Sequence, residues 1–303
     1  MREVCFGVDI GGTTVKLGLV SREGELLEKL EFTSSRDVGQ TFDTIASNIK
    51  EVLAGIPDVQ CVGAGVGVPG PVLDQRLVQG CVNLGWGDTD VAKELGDRTG
   101  LPIRAANDAN LAALGEMWQG GGKGCKDLVL FTVGTGVGGG VICDGHIVAG
   151  ATGGGGEVGH LPTPFHPEWQ CSCGKSGCLE VTASASGIIR AAKASPPFRE
   201  MGSVTAKDVF DAAAAGDENA QRVVTEAGRA LGYAAAVMCC AVNPEIVLIG
   251  GGVSAAGRAL LDPVEEAFHQ NVFSPCGHVR FAQAKLGNNA GIFGGAALFF
   301  CRS

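Results

Sequence analysis

Three cysteines within eight positions, Cys171, Cys173 and Cys178, with His160 upstream, restrict this chain more tightly than any other stretch. Borderline-soft Zn²⁺ takes thiolate and imidazole ligands in a tetrahedral set, so three Cys and one His make a closed structural site. Gly174 and Gly177 allow the tight turns that bring all three thiolates inward. The competing readings are a disulfide, which would strand the third thiol, and a chance cluster. Glu157 stands three positions before His160 and Glu180 two after Cys178, so a clamp closed at His160 and Cys178 fixes two carboxylates as well. Carboxylates held rigidly suit recognition of a polyol, because each oxygen accepts hydrogen bonds from hydroxyls. The plain alternative is a pair of solvated surface acids.

A length of 303 residues allows two domains, each with its own core. The net charge of −9, with no basic run and no Lys or Arg interleaved with aromatics, argues against nucleic acid as a partner and against a zinc-knuckle nucleic-acid module. The chain opens on the strand-like VCFGVDI rather than a charged leader, and its longest apolar run, Ala234 to Val242, is too short to span a bilayer. Both point to the cytoplasm and away from membranes. Cys5, Cys61, Cys81 and Cys143 lie scattered and read as reduced thiols, in keeping with a reducing compartment.

The 49 glycines are clustered between apolar strands and alanine-rich helices, which implies turns where backbone approaches a ligand. Val4 to Ile10 reads as a buried strand ending in Asp9, followed by Gly11-Gly12-Thr13-Thr14 and a second strand from Val15 to Val20. Such a hairpin offers backbone N–H groups and hydroxyls to a phosphate. Thr132 to Gly140 repeats the pattern, so two domains, each with a Gly-Thr hairpin, would face each other across a cleft. Thr89 to Arg98 reads as a helix capped by Asp88 or Thr89. Asn107-Asp108 falls at a strand-to-helix junction, where the positive end of the helix dipole favours an ionised carboxylate. Gln119 to Lys123 marks a candidate hinge; Ser184 to Ala194, Ala206 to Ala215, Glu218 to Val242 and Gly257 to Gln270 read as helices. The small residues of the closing GNNAGIFGGAALFF suggest a helix packed closely on another surface.

Some matches are decoys. Gly134-x-Gly136-x-x-Gly139 and Gly65-x-Gly67-x-x-Gly70 fit the dinucleotide fingerprint, but a strand or a proline follows where a helix is needed. Gly174-Lys175-Ser176 ends like a Walker A loop, but Trp169 stands at its first glycine.

Taken together these motifs resemble the ROK family of sugar kinases, in the family's order and over essentially the whole chain. Asp9 to Lys16 is similar to the first phosphate motif, Thr132 to Gly140 to the second, Asn107-Asp108 to the catalytic pair, Gly150 to His160 to the sugar signature ending ExGH, and Cys171 to Glu180 to CxCGxxGCxE. Gly250 to Val253 and Leu286 to Ala290 resemble the adenosine-binding elements, and Val82 to Trp86 the branch acting on glucose. Gly153 to Gly156 departs from relatives that carry alanine there.

The resemblance implies an α/β, two-domain actin/hexokinase-like (ribonuclease H-like) fold with a cleft between domains: residues 1–119, joined by a C-terminal helix over 290–303, and residues 120–289, which carry the zinc knuckle. It implies transfer of the ATP γ-phosphoryl group to the primary hydroxyl of a hexose, glucose first, with an N-acetylmannosamine or fructose kinase, or a non-catalytic sugar sensor, as rivals. Asp108 would be the catalytic base, and Asn107, Glu157, His160 and Glu180 the sugar contacts. Asp9, Gly11, Gly12, Thr13, Thr14, Lys16, Thr135, Gly136, Gly251 and Gly252 would hold nucleotide and Mg²⁺, Asp9 through water. His160, Cys171, Cys173 and Cys178 would hold structural Zn²⁺. The resemblance also implies a homodimer; a repressor would need a DNA-binding segment ahead of the first strand.

Overall fold

The computed structural model describes residues 1–81 and 84–301. Val82 and Asn83, two of the residues behind the glucose-branch resemblance, lie outside the described residues, as do the last two positions of the C-terminal segment.

Strand β1 (Arg2–Ile10) forms first with β2 (Thr14–Ser21) and β3 (Leu26–Thr33) as an antiparallel meander; α1 (Val38–Gly55) then leads to β4 (Val59–Val68), parallel to β1. Phe42, Ile45, Ala46, Ile49 and Val52 recur at helical spacing and are the buried face of α1, and the Asp37 carboxylate caps it by accepting from Gln40 N–H. The short antiparallel strands β5 (Val72–Leu73), β6 (Leu77–Val78) and β7 (Thr89–Asp90) precede α2 (Val91–Thr99). That helix starts later than its sequence suggests. Asp90 is its cap, accepting from Lys93 N–H at 3.0 Å, because Arg76 grips the same carboxylate at 2.8 Å and aims it at the helix end. Strand β8 (Ile103–Asn107), parallel to β4, runs into α3 (Asp108–Gln119) and completes the order β3-β2-β1-β4-β8.

Next, β9 (Leu128–Val133) and β10 (Val137–Cys143) flank a three-residue turn, and β11 (His146–Ile147) folds back on β10. A short helix, α4 (Leu179–Ala183), comes first and lies outside the helix predicted over Ser184 to Ala194. That predicted helix is α5 (Ala185–Ala192), capped by Ser184, which takes an extended conformation and accepts from Gly187 N–H. Helices α6 (Ala206–Ala214) and α7 (Glu218–Val242) follow; β12 (Ile246–Gly250) is parallel to β9, and after α8 (Arg258–Asn271), β13 (Arg280–Gln283) is parallel to β12. Helix α9 (Ala290–Phe300) closes the chain. Two compact units result: Met1–Lys126, Gly140–Gly156 and Leu286–Ser303 form one, Asp127–Gly139 and Glu157–Lys285 the other. Among the described residues no helix is long and apolar enough to cross a membrane.

Many glycines serve packing rather than a ligand. Helix α9 is apolar all round and buried over most of its length, so its backbone must lie directly on its neighbours. A Cβ on Gly7 would stand 1.8 Å from the Ile292 carbonyl oxygen, one on Gly65 2.0 Å from that of Gly295, and one on Gly294 1.8 Å from that of Leu111. The first unit also buries a carboxylate that sequence reasoning missed. Glu116 is fully buried and accepts from Gly121 N–H and Leu286 N–H, each at 2.7 Å, tying the glycine-rich stretch after α3 to the chain 170 residues on. Two N–H donors satisfy acceptor oxygens that burial would otherwise leave unpaired.

Candidate functional site

In the first unit the functional side chains gather where strands end. Asp9 lies opposite Lys16 in the β1–β2 pairing, Oδ2 to Nζ 3.6 Å, and a Cβ on Gly291 would come within 2.9 Å of the Asp9 carboxyl carbon. The first turn of α9 therefore backs onto this carboxylate. The turn between is closed by Gly11 N–H donating to Thr14 O at 2.9 Å, which leaves Gly12 and Thr13 exposed at its tip. Asn107 caps α3: its Oδ1 accepts from Ala109 N–H (2.9 Å) and Asn110 N–H (3.1 Å), and its Nδ2 donates to Gly70 O (3.3 Å). One amide N–H of Asn107 is left for another partner. Asp108 is the first residue of α3 and its Oδ1 accepts from Ala109 N–H at 2.8 Å, which fixes the carboxylate at the positive end of the helix.

Burial pushes the Asp9 carboxyl above its ordinary range, and the Lys16 ammonium pulls it partly back. A carboxyl whose folded pKa is raised stabilises the fold only while protonated, and that contribution is lost as pH rises through the folded value. Relative to Asp9→Asn, the parent is therefore expected to lose thermal stability as pH is raised from about 3 to 7. Melting both proteins across that range checks this; a parent that gains on the variant would contradict it.

The metal motif closes in the second unit. The candidate donor atoms of His160, Cys171, Cys173 and Cys178 all lie within 4.8 Å of one another. Cys171 Sγ is 3.6 Å from His160 Nδ1, and Cys173 Sγ is 3.6 Å from Cys178 Sγ. A tetrahedral zinc with bonds of about 2.0 to 2.3 Å separates its donors by about 3.5 to 3.8 Å, so the set fits the ion. Gly174 (φ +85°) and Gly177 (φ +70°) supply the left-handed turns the loop needs. Lys175 N–H and the neighbouring Cys171 draw the Cys173 thiol below its ordinary range, while burial pushes Cys178 up to about 12. Thiols sharing so small a volume cannot all ionise alone; a divalent cation held there would balance their charge, with an affinity that drops as pH is lowered. The loop has a support not evident in the sequence: Trp169 stacks flat on His166 at 3.6 Å between ring centres, with the Arg190 guanidinium 4.2 Å from its ring.

With Nδ1 turned to the thiols, His160 Nε2 points toward Glu157 Oε2 at 4.0 Å. Glu180 is half-buried; its Oε2 accepts from Val137 N–H at 3.1 Å, and its Oε1 stands 3.8 Å from Cys171 Sγ. In the β9–β10 turn Gly134 N–H donates to Gly136 O, Ser186 Oγ to Thr135 O at 2.8 Å, and Ala185 N–H to Gly134 O. Gly251 (φ +81°) follows β12 and Gly252 opens a short 3₁₀ turn; a Cβ on Gly251 would lie 2.4 Å from Val133 O, so this glycine lets the segment approach the end of β9. Within the second unit the predicted metal ligands, Glu180, Thr135 and Gly136 thus lie together; a cavity of about 380 Å³ is lined by Thr135, Gly136, Cys171, Glu180, Ser186 and Arg190 among others.

A family model described as "ROK family" matches residues 5–301. The chain is 41% identical over 308 residues to a glucokinase of Halalkalibacterium halodurans, covering 96% of this chain and 93% of the relative. It is 36% identical to a glucokinase of Thermotoga maritima, covering 97% and 96%. Among solved structures, a ROK family glucokinase from Streptomyces griseus in complex with glucose and AMPPNP superposes with a TM-score of 0.78 at 32% identity, over 97% of this chain and 98% of that one.

Proposed function

This chain belongs to the ROK family, and from that premise we propose that it is an ATP-dependent hexose kinase that converts glucose to glucose 6-phosphate. The fold is the actin/hexokinase-like α/β fold of the family. The observation that carries the reaction is Asp108, a carboxylate fixed on the first turn of α3 by Ala109 N–H. In the proposed reaction the 6-hydroxyl oxygen attacks the γ-phosphorus in line, the bond to the β-phosphate oxygen breaks, ADP leaves, and Asp108 takes the hydroxyl proton.

Asn107, Glu157, His160 and Glu180 are the proposed sugar contacts. Support comes from the spare N–H of Asn107 and from His160, whose Nε2 stays available when Nδ1 meets a metal. Asp9, Gly11, Gly12, Thr13, Thr14, Lys16, Thr135, Gly136, Gly251 and Gly252 are the proposed nucleotide contacts. Bound Mg²⁺ would spread the phosphate charge, with Asp9 placed to hold it through water. His160, Cys171, Cys173 and Cys178 would hold structural Zn²⁺. A cytoplasmic location and a homodimer complete this reading, both drawn from the sequence and the family.

The test is coupled ADP release with Mg·ATP against glucose, N-acetylmannosamine, N-acetylglucosamine, mannose and fructose. The reading predicts a clear preference for glucose. Preference for an N-acetyl sugar or fructose would keep the chemistry and change the substrate; no ADP release from zinc-replete protein would favour a sugar sensor.

A further inference from the structure

Two backbone groups of one residue, Val137, are gripped from the two flanks of the metal cluster. On one flank Glu180, two residues after the ligand Cys178, accepts the Val137 N–H on Oε2 at 3.1 Å. On the other, Gly159, one residue before the ligand His160, packs so closely on Val137 that a Cβ would lie 1.8 Å from its carbonyl oxygen. Gly136 is hemmed in by the same carboxylate, since a Cβ there would stand 2.2 Å from Glu180 Oε2. The flanks are also tied to each other, by Leu179 N–H donating to Leu161 O at 2.9 Å and by a bridge between Pro162 and Cys178. Val137 is the first residue of β10, directly after the Gly134–Gly136 turn.

We infer that the metal cluster sets the geometry of the phosphate-binding turn, with Glu180 as the positioning residue that transmits it through the Val137 amide. The inference rests on the kinase reading for the turn's ligand, a nucleoside triphosphate, and on this chain's own contacts for the coupling. Closing the cluster fixes residues 159 and 180, these fix Val137, and the turn's N–H groups are then held in place before a phosphate arrives, which lowers the ordering cost of binding. Glu180 thereby has two carboxylate oxygens with different duties: Oε2 is committed to the turn, and Oε1 faces the metal side, where the sugar reading needs it. The Glu157 carboxylate stands 4.0 Å from His160 Nε2, whereas the Val137 N–H is taken by Glu180, which makes Glu157 the control.

The experiment is calorimetric binding of Mg·AMPPNP without any sugar, to zinc-replete parent, Glu180→Ala, Glu180→Gln and Glu157→Ala. Losing a hydrogen bond to a charged group costs about a factor of ten in affinity. Glu180→Ala is expected to bind about tenfold more weakly; Glu180→Gln should recover most of that, because its amide oxygen can accept the Val137 N–H; Glu157→Ala should match the parent. Equal affinity in Glu180→Ala and parent, or an equal loss in Glu157→Ala, would overturn the inference. Hydrogen exchange of residues 134–138 in the unmutated protein, before and after chelation of its metal, decides the same point if Glu180→Ala does not fold. Faster exchange in the turn supports the coupling, and unchanged exchange refutes it. A parent that binds no AMPPNP would count against the kinase reading while the exchange result still judges the coupling.

Discussion

Asp108→Asn is expected to lower turnover by about two to four orders of magnitude while leaving the melting temperature, zinc content and sugar affinity close to those of the parent. The substitution isolates the proton. Asp108 Oδ1 accepts from Ala109 N–H at 2.8 Å, and an asparagine oxygen can accept the same bond, so the first turn of α3 loses no hydrogen bond. Asn107, whose Oδ1 holds the Ala109 and Asn110 N–H groups, keeps the strand-to-helix junction in shape independently. What the amide cannot do is take the hydroxyl proton as the oxygen attacks phosphorus. The loss should fall on kcat with KM little changed, the pattern of an interaction made only in the transition state. Near-normal turnover in Asp108→Asn would remove this residue from the role of base.

The second large effect is expected from Cys173→Ser. Of the three cysteines proposed as ligands, Cys173 alone is exposed, whereas Cys171 and Cys178 are buried and Cys178 also stands at the start of α4. Replacing Cys173 therefore removes a thiolate without opening a hole in the core, and its consequences report the metal. Structural zinc contributes folding free energy outright, about 10 kcal/mol or more in isolated zinc modules, so even partial loss is felt strongly. The variant is expected to hold much less than one zinc per chain by emission spectroscopy, to melt at a clearly lower temperature, and to bind sugar more weakly. Parent protein purified without chelators and found free of zinc would contradict the assignment of the cluster.

The clustering of His160, Cys171, Cys173 and Cys178 was legible because the cysteines lie close in sequence and Gly174 and Gly177 stand where left-handed turns are required, so local chemistry decides the geometry. Helix α7 was legible for a similar reason: Asp217 caps it, Asn243 ends it in a left-handed conformation, and no glycine or proline interrupts its buried face in a way that breaks the period. The Asn107-Asp108 junction was equally local. What stayed hidden depends on partners far along the chain. Asp90 rather than Asp88 or Thr89 caps α2 because Arg76, fourteen residues earlier, selects it. The tight packing of α9 was foreseeable from its glycines, but its seat on Gly7 and Gly65 was not. Glu116 looked like an ordinary helix acid until Leu286 N–H arrived from 170 residues away. Glu180 read as a sugar contact, and nothing in the sequence ties it to Val137, 43 positions earlier. Local signals thus gave the candidate residues, and burial and long-range backbone contacts gave the supports around them.

The most direct measurement is ³¹P NMR of the product formed from Mg·ATP and glucose by zinc-replete protein, followed with proton coupling retained. Transfer to the primary hydroxyl predicts a phosphomonoester signal split by the two protons on C6, growing in step with ADP. A signal coupled to the anomeric proton, or inorganic phosphate appearing in place of any sugar ester, would contradict the account.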